Sequence, residues 1–179
     1  MAIQSTLFKI VLEIADMDRG YYAEHTLRLA RHPSENNERM MVRVLAFALS
    51  AHERLEFGGG VSTTEEPALW RKSLIGEIEE WIDLGQPDPR RINRACGRAE
   101  AVVVYLYGGP KAATWWKQEG GALARHTNLK VIRVPAGQSE QLAELADRSI
   151  SLQCNIHEGE VWMIRGDQTV HVTPVKLFG

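Results

Sequence analysis

Strict apolar alternation brackets this chain at both ends. Phe8, Ile10, Leu12 and Ile14 are separated by Lys9, Val11 and Glu13, and further on Ile150, Leu152, Cys154 and Ile156 are separated by Ser151, Gln153 and Asn155. A period of two is the pattern of a strand buried on one face, so both segments require a second layer. Asp16 to Gly20 reads as a turn leading to a second strand from about Tyr21 to Ala30, and turns at Glu158-Gly159 and Gly166-Asp167 divide the later segment into a meander of about three strands. The hairpin and the meander are expected to share one antiparallel sheet, packed beside whatever lies between them.

The middle of the chain reads as α/β. Pro33-Ser34 opens a helix running to about His52, with Ser34 as its N-cap, Glu35 and Glu38 early in it, and Met41, Leu45 and Ala48 on one stripe. A short strand at Leu55 to Phe57 precedes a loop at Gly58 to Gly60 and Ser62 to Thr64. Pro67 to Lys72 and Glu77 to Leu84 read as strands around a turn at Gly76. Pro87-Asp88-Pro89 then opens a helix to about Ala99, Ala101 to Tyr107 is a fully buried strand, Pro110 starts another helix, and Leu129 to Val134 is a further strand. This predicts one domain with a core at about 33–147, while 1–32 and 148–179 form the accessory sheet. A chain of 179 residues can bury roughly 70% of its unfolded surface, enough to fold without staples.

Several function classes drop out. A formal charge of −2 gives no global attraction to nucleic acid, so such binding needs a local basic face. Cys96 and Cys154 lack metal-ligand spacing, which points to a reducing cytoplasm. No secretory leader or spanning segment is read, and the chain is taken as a monomer without membrane contact. The six histidines show no zinc-ligand spacing, and neither a phosphate-cradling glycine motif nor a serine elbow is present.

What remains is an acidic constellation. Glu77, Glu79, Trp81 and Asp83 should share one face of their strand, with Ile78, Glu80, Ile82 and Leu84 on the other. Glu79 and Asp83 then lie roughly 13 Å apart and cannot hold one ion together. With a turn near Ser73 to Gly76, Asp83 instead falls opposite Glu66 or Pro67, where cross-strand Cβ atoms are about 5 Å apart. Glu38 projects along the apolar stripe of its helix, toward the core. Glu38, Glu66 and Asp83, with Glu79 as second choice, would suit Mg²⁺ or Mn²⁺, which can activate a water against a phosphodiester. The plainer alternative is that Glu35 and Glu38 suit a helix N-terminus while Glu79 or Glu80 faces solvent. Arg90, Arg91, Arg94 and Arg98 form a basic face on the next helix, able to position phosphates or simply to be solvated. Trp115 and Trp116, being adjacent, cannot both face the core, leaving one to stack a base or to cover a neighbour.

Three motifs occur in order: Leu29-Ala30-Arg31-His32-Pro33-Ser34-Glu35-Asn36-Asn37-Glu38-Arg39-Met40-Met41, Trp81-Ile82-Asp83-Leu84-Gly85-Gln86-Pro87-Asp88 and Arg91-Ile92-Asn93-Arg94-Ala95-Cys96. Together they resemble the bacterial YaeQ family over essentially the whole chain. The resemblance implies an α/β fold with a PD-(D/E)xK nuclease-like αβββαβ core, many members of which hydrolyse phosphodiesters with Mg²⁺. Transferred onto this sequence, the helix acid is Glu38, the first strand acid is Glu66 and the acid of the (D/E)xK element is Asp83. Gly85 holds the lysine position, and the proline and acid appear in reversed order as Glu66-Pro67. Arg91 is the first candidate to replace the lysine's charge beside the scissile phosphate, with Arg94 and Arg98 as further nucleic-acid contacts. Three readings stand: a Mg²⁺-dependent nuclease-like enzyme, a non-catalytic nucleic-acid or protein-binding module on the same fold, or a purely structural interaction protein with its acids dispersed on the surface.

Overall fold

In a computed structural model, which describes residues 4–59 and 63–179, the chain divides into two compact units. One comprises the residues up to Ala51 together with Gly137–Pro174; the other comprises His52–Ala136 and Val175–Gly179.

The first unit is built on the alternating segments. β1 (Thr6–Asp16) and β2 (Tyr21–Arg31) form the expected hairpin, and β8 (Ser149–His157), β9 (Glu160–Arg165) and β10 (Gln168–Val172) form the meander. They share a sheet in the order β10-β9-β8-β1-β2. It is mixed and not purely antiparallel, because β1 and β8 run parallel with Ile10 level with Ile150 and Leu12 level with Leu152. That register places both apolar series on one face, where Ile10, Leu12, Ile14, Leu152, Cys154 and Ile156 are buried.

Helix α1 (Asn37–Leu49) begins later than the sequence suggests. Asn36 is its N-cap, its side chain accepting from the Arg39 N–H at 2.9 Å, a contact worth about 1 kcal/mol. Ser34 instead bonds the His32 ring at 2.6 Å, still within the turn before the helix. Every residue from Met40 to Ala48 is buried, Arg43 included. Arg43 reaches Glu35 at 2.7 Å and the Ala30 carbonyl at 3.3 Å, and Phe47 meets His25 of β2 edge-on. A second helix of this unit, α4 (Ala136–Glu144), was not read from the sequence; its few apolar positions, with only Ser139 and Leu142 buried, leave no clear stripe.

The second unit holds a mixed sheet ordered β11-β7-β6-β5-β4-β3, from β3 (Leu55–Phe57), β4 (Leu69–Lys72), β5 (Ile78–Leu84), β6 (Ala99–Leu106), β7 (Leu129–Arg133) and β11 (Val175–Phe178). The last strand corrects the sequence reading, which gave residues 148–179 entirely to the accessory sheet. β11 pairs with β7, and Phe178 meets Trp116 of helix α3 (Pro110–Leu123). Trp115 and Trp116 both pack against the apolar cluster of this unit, so the neighbour-covering reading is the one observed. Helix α2 (Pro89–Arg98), capped by Asp88 and opened by Pro89, buries Ile92 and Ala95 against Val102, Val104 and Leu106 of β6. The Asn128 amide donates to the Cys96 and Ala99 carbonyls and closes the far end of α2. The loop expected around Gly58 to Thr64 lies partly outside the described residues; Gly58 within it approaches the Pro67 carbonyl so closely that a Cβ would collide with that oxygen.

A bulge in the β4–β5 ladder decides how the acidic segment is displayed. Lys72 pairs with Ile78 but Arg71 pairs with Glu80, leaving Glu79 as the extra residue of β5. The alternation breaks there. Ile78 and Trp81 lie in one apolar cluster, whereas Glu79 and Glu80 both turn to Arg71, at 2.8 and 3.9 Å. Glu79 therefore does not share a face with Asp83. The same bulge moves Asp83, which follows the Leu69–Ile82 pair, level with Ala68 and not with Glu66 or Pro67.

Candidate functional site

Asp83 and Arg91 form the centre of the candidate site. The end of β5 and the first turn of α2 are joined by Gly85 to Asp88, so the chain doubles back and brings residue 91 over residue 83. Asp83 is only 4% exposed. Its Oδ2 accepts from the Trp81 indole N–H at 2.9 Å and from Arg91 Nε at 2.8 Å, and its Oδ1 accepts from Arg91 Nη2 at 3.1 Å. A carboxylate held in this way is neutralised by a two-point ion pair, which offsets its desolvation.

Arg91 is committed beyond Asp83. Its Nη1 donates to the Thr64 carbonyl and its Nη2 to the Glu66 carbonyl, each at 2.7 Å. It thus anchors the segment before β4 to the end of β5. Arg91 and Arg98 both lie 5.5 Å from the Trp81 ring centre, and Trp81 meets Trp70 edge-on across the ladder. Trp81 is the residue the sequence reading undervalued: its shared face with Asp83 was visible, but nothing in a strand pattern shows that its N–H is spent on the carboxylate.

The remaining acids go elsewhere. Glu66 contributes its backbone carbonyl to Arg91, while its side chain accepts from the Gly59 N–H at 2.7 Å. Glu79 is clamped by Arg54 at 3.0 Å and Arg71 at 2.8 Å, and the hydrogen bond from Arg54, reinforced by Arg71, holds its carboxyl below the usual range. In the first unit, Glu38 is half-buried and accepts from the fully buried Ser139 hydroxyl of α4 at 2.7 Å. Among the described residues no three His, Cys, Asp or Glu side chains converge as metal ligands. The donors do not fit a hard divalent cation in this arrangement, because an ion at Asp83 would have to displace both Arg91 and the indole. Gly85, where the resemblance would put the lysine, has φ +78° and donates to the Tyr105 carbonyl at 2.9 Å, a left-handed conformation that L side chains resist.

Outside this closed pair the surface is basic. Arg90 and Arg94 are exposed and, among the described residues, form no ion pair; Arg98 has only a loose contact with Glu65 at 3.9 Å. Thr64, Asp88, Arg90, Arg91 and Arg94 line an open depression of about 490 Å³.

The description of the YaeQ protein family matches residues 1–174. The chain belongs to the YaeQ family. It is 43% identical over 163 residues to the YaeQ protein of Salmonella typhi and 39% identical to that of Escherichia coli, covering 91% of this chain and 90% of the relative in each case. The crystal structure of a YaeQ protein from Xanthomonas axonopodis pv. citri superposes with a TM-score of 0.95 at 47% identity, covering 98% of this chain and 99% of the other. A YaeQ protein from Pseudomonas syringae gives 0.94 at 37% identity, covering 98% and 97%. The two mixed sheets are thus an arrangement that this chain shares with solved YaeQ structures. No helix among the described residues is long and apolar enough to cross a membrane.

Proposed function

We propose that this chain is a non-catalytic nucleic-acid-binding module on a PD-(D/E)xK-like core, acting as a cytoplasmic monomer and gripping phosphates with the exposed arginines of α2. The succession α1, β3, β4, β5, α2, β6 reproduces the αβββαβ order of such a core and supports the fold reading. The observation that carries the functional reading is the commitment of Arg91. A guanidinium spent on Asp83 and two carbonyls is not available to a scissile phosphate, and the carboxylate it neutralises is not available to Mg²⁺. Arg90 and Arg94 keep their donors outward, where fork-shaped guanidinium groups suit phosphate oxygens. Phosphate contacts of this kind give affinity without sequence preference and weaken steeply with salt.

The competing reading, Mg²⁺- or Mn²⁺-dependent cleavage through Glu38, Glu66 and Asp83, is separated by one pair of measurements. Fluorescence anisotropy of labelled DNA and RNA oligonucleotides in EDTA should show binding that falls with salt and is weakened in Arg90→Ala/Arg94→Ala. Incubation of the same oligonucleotides with Mg²⁺ or Mn²⁺ should leave them intact. Metal-dependent cleavage that disappears in Asp83→Ala and Glu38→Ala would replace the binding-module reading with the enzymatic one. Absence of binding to any oligonucleotide would end both.

A further inference from the structure

The turn between β4 and β5 carries an apolar pair for which the fold has no use. Leu74 and Ile75 are 94% and 82% exposed, at the two central positions of a turn closed by the Gly76 N–H donating to the Ser73 carbonyl at 3.0 Å. Central turn positions ordinarily take Gly, Asn, Asp or Pro, which present little apolar surface to water. The tip is braced. Ser73 Oγ accepts from the Ile75 N–H at 3.3 Å and the Glu77 N–H at 3.1 Å, and the Ser73 N–H donates to the Glu77 carbonyl at 2.8 Å. Two large aliphatic side chains on a fixed projection add nothing to a core, and leaving them in water is unfavourable.

The charges nearby say what kind of surface would cover them. Exposed Lys72 lies directly before the turn, its ammonium 3.6 Å from the Trp70 ring centre, and exposed Glu77 directly after it, so the excess of positive charge comes from α2. Because α2 returns antiparallel to β5, Arg90, Arg94 and Arg98 follow one another toward the hairpin's root: Arg98 precedes Ala99, which pairs with Ile78, two residues from Gly76. Lys and Arg outnumber Asp and Glu in this unit, the reverse of the other. A polyanion lying along the arginines therefore meets the apolar tip at the end of its track.

Resting on the binding reading above, we propose that Leu74 and Ile75 form a wedge that enters a base step of duplex DNA whose phosphates lie along α2. Apolar side chains used in this way unstack one step and kink the duplex by about 20–90°. The test uses the full chain with duplexes carrying 2-aminopurine, whose fluorescence rises on unstacking, and end-labelled duplexes whose energy transfer reports bending. Wild type should raise the 2-aminopurine signal and shorten the end-to-end distance. Leu74→Ser/Ile75→Ser should melt at the wild-type temperature, bind about tenfold more weakly at most, and lose both signals. Arg94→Ala should bind more weakly yet give the full signals at saturation. Binding by wild type without unstacking overturns the wedge and leaves the binding module standing. No binding to the duplex overturns both. Unchanged DNA signals in the double variant, with loss of binding to vesicles of phosphatidylcholine and phosphatidylglycerol, would make the tip a lipid contact and also overturn the wedge.

Discussion

Arg91 grips Asp83 at two points, 2.8 Å from Nε to Oδ2 and 3.1 Å from Nη2 to Oδ1, where a nuclease would need that carboxylate open. The pair acts as a clamp, since the same guanidinium holds the Thr64 and Glu66 carbonyls. Asp83→Asn should therefore destabilise the protein by about 3 kcal/mol, the low end for breaking a buried pair because Arg91 keeps partial access to solvent. Urea unfolding of Asp83→Asn, Arg91→Ala and the double variant should give a strongly non-additive cycle. Additive losses would mean that the clamp does not hold.

A lysine placed at Gly85, the position that the nuclease-like resemblance implies for it, should not create an enzyme. Gly85→Lys places a side chain at φ +78° and should cost about 1–2 kcal/mol, read as a shift in the urea midpoint, with Gly85→Asn costing less. Oligonucleotides incubated with this variant and Mg²⁺ should remain whole.

The phosphate contacts proposed for α2 predict a measurable salt signature. If Arg94 grips one phosphate, Arg94→Ala should weaken binding similarly for all sequences and reduce the slope of log K against log salt by about one. A loss confined to one oligonucleotide sequence would instead indicate base reading.

Cys154 should make stability fall at high pH. Burial, with a smaller contribution from Asp16, pushes its thiol up to about 12 from an ordinary 9.0. Above pH 9 the unfolded chain loses this proton while the folded chain keeps it, so the contribution is complete below pH 9 and fades as pH rises toward 12. Urea midpoints at pH 8 and pH 10.5 should diverge less in Cys154→Ala than in wild type.

Glu79 should do the opposite at low pH. Its carboxyl titrates below the ordinary 4.5 because Arg54, and then Arg71, bond its charged form. This contribution is present above pH 4.5 and is lost as pH falls through the lower folded value. Glu79→Gln should flatten the acid limb of the stability profile.

The architecture was largely legible because its determinants are local. Alternation at Phe8 to Ile14 and Ile150 to Ile156 gave the first sheet, and the Asp88-Pro89 pair gave the start of α2. Two features were hidden for physical reasons. One extra residue at Glu79 reverses which face a side chain takes and shifts a register, yet leaves no mark on composition. The partner of β11 is chosen by contacts far away in the chain, so a strand pattern at Val175 to Phe178 could not say which sheet it would join. At the site, the sequence offered Asp83 and Arg91 as candidates. Whether they would cooperate or cancel depended on three dimensions: an eight-residue separation becomes a 2.8 Å contact only after the chain doubles back.

The first unit is made from both flanks of the sequence, with β1 paired to a strand that begins at Ser149. During synthesis, the hairpin therefore leaves the ribosome with only α1 close behind it to cover the face of Ile10 and Leu12, and the free edge of β1 must wait for most of the polypeptide before β8 arrives. The intervening segment has its β3 to β7 neighbours near in sequence and can settle in the meantime, lacking only β11. Slowed elongation, or a chaperone acting on the nascent hairpin, should matter more for this chain than its modest size suggests.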